Sequence, residues 1–152
     1  MVKKLSEHFT LEELLFSQTA ARKKIDNTPT PEILANLARL AGVLEVVRAE
    51  LGNVAIHVSS GYRSPALNKA IGGAKHSRHM RGLAVDFTAP AFGTVLQTAR
   101  KIASLDLGYD QIIHEFGRWV HLDIAEPGAK PQGELLSYFG GDYLKGLITK
   151  PT

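Results

Sequence analysis

The chain contains no cysteine. That absence removes disulfide staples, thiolate metal ligands and cysteine nucleophiles together. Any metal site must then be built from histidine and carboxylate. No apolar run approaches the ~18 residues of a membrane-spanning helix, so membrane insertion is not expected. The opening Met1-Val-Lys-Lys-Leu5-Ser-Glu-His8 lacks the apolar stretch of a signal peptide. The protein is therefore expected to be made in a cytoplasm and to need another route for any work outside it. Dense charge of one sign is also missing. The densest basic cluster, Arg22-Lys23-Lys24, reads as a solvated face. A formal net charge of +3 and a pI near 9.2 suit an anionic surface but are weak ground for nucleic-acid binding. Tyr62, Tyr109 and Trp119 are not set in a basic patch, so no nucleic-acid partner is expected.

What is present fits one globular domain: 152 residues, 44% apolar and 22% charged. Three parts are expected: a helical portion over 1–52, a core over 53–125 and a loop-rich tail over 126–152. Thr10-Leu-Glu-Glu13 is a capping box that opens a short helix over Leu11 to Phe16. Thr30-Pro31 has the N-cap and first-position residues of a second helix. Ile33, Leu34, Leu37, Leu40, Ala41, Leu44, Val47 and Leu51 recur at helical spacing, and Gly52 closes it. Val54 to Ser59 and Gly82 to Thr88 read as strands. Ser64-Pro65 opens a short helix to Ile71, and Phe92 to Ser104 reads as a helix. Asp110 to Glu115 and Trp119 to Ile124 form a hairpin. The Pro- and Gly-rich tail is expected to hold a short helix near Gly141 to Leu147. The fold class is α+β, with a mostly antiparallel sheet and helices packed on it.

Six histidines, at 8, 57, 76, 79, 114 and 121, are the residues with chemistry to offer. In Ser77-Arg-His79-Met-Arg-Gly82-Leu-Ala84-Val-Asp86 a glycine permits the sharp reversal that lets His79 and Asp86 face one point. Ala84 shares a strand face with Asp86 and leaves room beside the carboxylate. In Trp119-Val-His121-Leu-Asp123, alternation puts Trp119, His121 and Asp123 on one side and Val120, Leu122 and Ile124 on the other. Two histidines and one carboxylate leave a fourth position open, the pattern of a catalytic zinc site. On spacing alone a structural histidine remains an alternative.

These motifs resemble the M15 peptidases: D-alanyl-D-alanine carboxypeptidases, dipeptidases and phage endolysin endopeptidases. The pattern S-x-H-x-x-G-x-A-x-D is matched by Ser77 to Asp86, and W-x-H by Trp119 to His121. Ser60-Gly-Tyr-Arg-Ser64 is similar to the family's arginine-bearing segment. The resemblance spans about Val54 to Ile124, and the N-terminal His8-Phe-Thr-Leu-Glu-Glu-Leu-Leu is similar to what precedes it in phage members. It implies a hedgehog-like zinc fold with zinc on His79, Asp86 and His121. It implies that Arg63 contacts a substrate carbonyl or carboxylate and that Ser77 supports the site. His76 and His114 are further substrate-side candidates.

One departure matters. Many members carry the catalytic acid three residues before the last histidine, where this chain has Arg118. Arginine cannot take a proton from water at neutral pH. Glu115, six residues before His121, is the nearest upstream acid, and hedgehog domains carry a glutamate at the same remove. A three-residue loop, Phe116 to Arg118, pairs Glu115 with Trp119 and gives it the face of His121. A two-residue loop gives that face to His114. We expect the three-residue loop. Asp123 is a candidate for orienting a histidine, with an exposed strand carboxylate as the alternative.

The implied activity is zinc-dependent hydrolysis of peptidoglycan stem peptides, with Glu115 moving the proton from water to the leaving amine. An endolysin-like endopeptidase is the first expectation. A D-alanyl-D-alanine carboxypeptidase or a non-catalytic zinc-binding phage component is the alternative. The protein is expected to be a monomer that reaches the cell wall by phage-type release or on a virion.

Overall fold

The structure, a computed structural model, describes residues 2–152. Each of its helices begins where the sequence supplies a hydroxyl for the orphan amides of the first turn. Thr10 and Glu13 complete the capping box of α1 (Leu11–Leu15). Ser17 caps α2 (Gln18–Lys23), a helix the sequence reading did not anticipate. Its Arg22 and Lys23 sit in the last turn, where cations suit the helix dipole. The Thr30 hydroxyl accepts the Ile33 N–H at 3.3 Å at the start of α3 (Pro31–Glu50). Ser64 caps α4 (Pro65–Ala70), and Thr94 with Gln97 forms a second capping box on α5 (Val95–Ala103). The expected start of α5 at Phe92 is instead a turn, closed by the Phe92 N–H on the Ala89 carbonyl.

Six strands form one mixed sheet in the order β1-β2-β4-β3-β5-β6. They are β1 (His57–Ser60), β2 (Ala84–Thr88), β3 (Tyr109–Glu115), β4 (Trp119–Ile124), β5 (Glu134–Tyr138) and β6 (Leu144–Lys145). The fold is α+β, as expected. β3 pairs with β4 antiparallel and with β5 parallel, and β5 pairs with β6 antiparallel. β1 starts later than expected: after the turn at Gly52 and Asn53, at φ of +89° and +60°, residues 54–56 run outside the strand.

The tail differs most from expectation. The short helix proposed for Gly141 to Leu147 is absent, and strand β6 lies there. Gly140, Gly141 and Gly146 all take positive φ, which breaks any helical run. The Ser137 hydroxyl donates to the Gly146 carbonyl and accepts the Ile148 N–H, tying this segment to β5. Asp110 holds the other end, accepting the Gln132 N–H at 2.9 Å just before β5.

The chain divides into two compact units, and the divisions fall inside α3, β1 and β2. The first comprises the chain up to Glu45 with Ser60–Val85. Its buried residues include Leu14, Leu37, Leu40, Leu44, Leu67 and Leu83. The second comprises Val46–Ser59 with Asp86–Thr152, and buries Phe87, Ile102, Ile112, Val120, Leu122 and Ile124.

Candidate metal centre

His79 lies on a single 3-10 turn, Arg78–Arg81, between α4 and β2. The Ser77 hydroxyl accepts the His79 N–H at 3.2 Å, and Gly82 ends the turn at φ +69°. Only glycine suits that position. Beyond the backbone strain, a Cβ there would stand 3.0 Å from Ile33 and 3.2 Å from Leu37. The Asn36 amide on α3 donates to the Arg81 carbonyl at 2.8 Å and fixes the turn from below.

The ring of His79 is buried and its Nδ1 lies 2.8 Å from the Gly61 carbonyl. A carbonyl only accepts, so Nδ1 carries a proton and Nε2 is the nitrogen a metal would take. Gly61 is itself held tightly. A Cβ there would sit 2.3 Å from the Leu14 carbonyl oxygen, and the Tyr62 N–H donates to that same oxygen at 2.7 Å. A glycine read only as part of an arginine segment therefore sets the tautomer of a candidate ligand.

The hairpin register settles the parity question. Gln111 pairs with Asp123, Ile113 with His121 and Glu115 with Trp119. The loop is Phe116 to Arg118, closed by the Arg118 N–H on the Glu115 carbonyl at 2.9 Å. Glu115, half-buried, thus shares the face of His121 one pair further along. Diagonal neighbours of that kind stand ~7 Å apart.

His121 is gripped on both sides. Its Nε2 lies 2.7 Å from Asp123 Oδ2, and its Nδ1 lies 3.0 Å from Asp86 Oδ1. Asp123 is fully buried, so the exposed-carboxylate alternative fails. Burial opposes charging the His121 ring. The hydrogen bonds and negative charges of Asp123 and Asp86 outweigh it and push the pKa up to about 10. The surroundings of this ring are therefore built for a cation. Replacing the Nδ1 proton by a metal keeps Nε2–H on Asp123 and leaves Nδ1 and Asp86 as ligand atoms.

His79, Asp86 and His121 each offer one ligand atom, and these lie within 4.8 Å of one another. Two neutral imidazoles and a carboxylate suit zinc and leave room for further ligation. The Gly61 carbonyl holds His79 Nδ1 and Asp123 holds His121 Nε2, so the other nitrogen of each ring is the one a metal would take. The donor set fits the metal.

The other expected site residues fall into two groups. Arg63 belongs with His79: its backbone N–H donates to the His79 carbonyl at 3.1 Å. Its guanidinium donates to Ser60 Oγ at 3.1 Å and to Asn68 Oδ1 at 3.3 Å. Ser77 reaches the centre through the His79 backbone. His76 is exposed in the turn before it. His114 is on the opposite face of the hairpin, its Nδ1–H donating to the Ile148 carbonyl at 3.1 Å. Burial, reinforced by the charge of Arg100 and opposed by that bond, lowers its pKa. Among the described residues no helix is long and apolar enough to cross a membrane.

Compared with curated proteins, the chain matches none. The model of the Peptidase M15 family matches residues 7–123, well over half of the chain, and runs from α1 through all but the last residue of β4. Members of this family are zinc enzymes, and the histidine–aspartate–histidine cluster supplies what such an enzyme requires. The chain belongs to the M15 peptidase family.

Proposed function

We propose that this chain is an endopeptidase that cleaves the peptide stem of peptidoglycan beside its L-alanine. The observation that carries the reading is the clustering of His79, Asp86 and His121 with Glu115 on the His121 face. These three residues would hold zinc, which when bound supplies Lewis-acid chemistry to the hydrolysis. Glu115 takes a proton from the attacking water and delivers it to the amine nitrogen as the C–N bond breaks. Asp123 keeps the His121 ring in one orientation throughout. Arg63, steadied by Ser60 and Asn68, binds a carbonyl of the peptide or the developing oxyanion. The reading includes a hedgehog-like arrangement of the sheet and a single chain acting alone. It also includes delivery to the wall by phage-type release or on a virion. The net charge of +3 favours an anionic wall.

Mass spectrometry of defined muropeptides, incubated with and without a chelator, tests this. Cleavage after L-alanine that chelation abolishes and zinc restores is the expected result. Release of terminal D-alanine from pentapeptides would instead assign a carboxypeptidase, with Arg63 gripping the free carboxylate as a bidentate fork. Absence of both products while zinc stays bound would leave a binding module.

A further inference from the structure

Four aromatic rings make a continuous row in the second unit. Trp119 and Phe116 have ring centroids 5.5 Å apart, Phe116 and Tyr138 5.3 Å, and the stacked pair Tyr138 and Tyr143 4.5 Å. The row lies on the metal face. Trp119 precedes His121 by two residues on the same side of β4, and Glu115 is paired with Trp119 on one side and Tyr138 on the other. Burial does not account for it, because Phe116 is 42% exposed and Tyr143 55%. Nor does the turn. Phe116 sits at φ +58°, where a bulky side chain is strained and glycine or asparagine would be easier. Its N–H donates to the Tyr138 carbonyl at 2.8 Å, so the strained residue is pinned to β5. The chain accepts that strain to hold a half-exposed ring beside the candidate centre.

Aromatic faces fringed by tyrosine hydroxyls suit a ligand with an apolar C–H face and a hydroxyl rim, which is a sugar ring. Distance decides which sugar. The muramyl ring of peptidoglycan is joined through its lactyl group to the L-alanine of the stem. Cleavage after that alanine puts the sugar one lactyl unit and one residue from the scissile carbonyl, and two such extended units span ~7 Å. Trp119 stands two residues from His121, about 6.7 Å along a strand. The two lengths agree. At the far end of a pentapeptide stem the sugar would be one lactyl unit and four residues off, on the order of 17 Å.

The geometry points to the row Trp119–Phe116–Tyr138–Tyr143 as a subsite for the amino-sugar ring that bears the stem, so that sugar-linked peptide is preferred to free peptide. The inference rests on the endopeptidase reading, and its test separates the two. Trp119 is the single tryptophan, so its emission reports on the row directly. Zinc-loaded and chelated protein are titrated with muramyl-L-alanine and with acetyl-L-alanine. The sugar-bearing ligand should change the emission and bind at least about ten-fold more tightly, the scale of one or two ring contacts. Phe116→Gly, in which glycine takes the positive φ freely, and Tyr143→Ala should each weaken it several-fold, while Tyr143→Phe should retain it. Phe16→Ala, exposed on the other unit, serves as control. In turnover, the ratio of kcat/KM for a muramyl peptide over the same peptide without sugar should fall toward one in the two ring-removing variants. Equal affinity for both ligands, or an undiminished ratio in those variants, overturns the subsite. Cleavage without sugar preference leaves the endopeptidase reading standing. Sugar binding without cleavage does the reverse.

Discussion

The two faces of the β3–β4 hairpin carry one histidine each, and they are opposite in character. His121 is held between Asp86 and Asp123 and is pushed up to about 10. His114, on the face of Ile112, Val120 and Leu122, packs edge-on against Phe139 at 5.4 Å and is held below its ordinary value. Both are buried, so burial alone does not set their fate. Neighbouring carboxylates do, and strand parity decides which histidine meets them. One residue fewer in the loop would exchange the two faces of β3.

The largest effect expected from breaking this comparison is loss of the metal. Protein purified without added metal should carry about one zinc per chain by elemental analysis. His121→Ala and His79→Ala should each lose it together with activity, since two protein ligands make a poor zinc site. His114→Ala should keep it, as should His8→Ala and His57→Ala, which alter residues outside the cluster. Full zinc in both ligand variants would refute the ligand assignment.

Next comes the base. Glu115→Ala should remain folded and zinc-loaded yet lose roughly 100-fold or more in turnover, as general acid–base groups do when removed. The matched change on the other face, His114→Ala, should leave turnover within a few-fold. Near-normal turnover in Glu115→Ala would move the proton transfer elsewhere and strip the hairpin face of its catalytic role.

Smaller again is the effect of the carboxylate behind the ring. Asp123→Ala removes the acceptor of His121 Nε2–H without touching a ligand. Loss of such a partner costs 10–100-fold in metal affinity, read by competition with a chromophoric chelator. An unchanged affinity would mean that Asp86 alone orients the ring.

How much of this was legible in the sequence differs between the segments. The caps of α1, α3 and α4 were visible because a hydroxyl stands at a fixed offset from an apolar run. The hairpin and its partition of Trp119, His121 and Asp123 followed from alternation. α2 was hidden because six residues are too short for periodicity, leaving only Ser17 as a signal. β5 was hidden because Glu134-Leu-Leu-Ser-Tyr138 does not alternate, and its parallel partner β3 is distant in sequence. The ligand types could be read, but their tautomers could not. Those depend on the Gly61 carbonyl and on Asp123, contacts that only the folded chain makes. The aromatic row was missed for the same reason, although a phenylalanine ahead of Gly117 in a tight turn was a signal.

The smallest effect is a pH dependence, and it belongs to His114. Burial favours its neutral form, so its folded pKa lies below the ~6.5 of an unfolded histidine. The stability this contributes is therefore complete above about pH 6.5 and is lost as the pH falls through the lower folded value. Zinc would obscure the measurement, because ligand protonation releases metal over the same range. Chelated protein avoids this. There His121, at about 10, stays charged in the folded chain while the unfolded histidine titrates at ~6.5, so it adds a slope of opposite sign that is common to both proteins. In His114→Gln the amide can still donate to the Ile148 carbonyl but cannot titrate. Thermal melts of the two chelated proteins between pH 7.5 and 5 should therefore diverge, with the wild-type Tm dropping relative to that of the variant below about pH 6.5. The other histidines cancel in the comparison. Parallel curves would show that His114 charges without cost, and the apolar face of the hairpin would then be more open to water than its packing indicates.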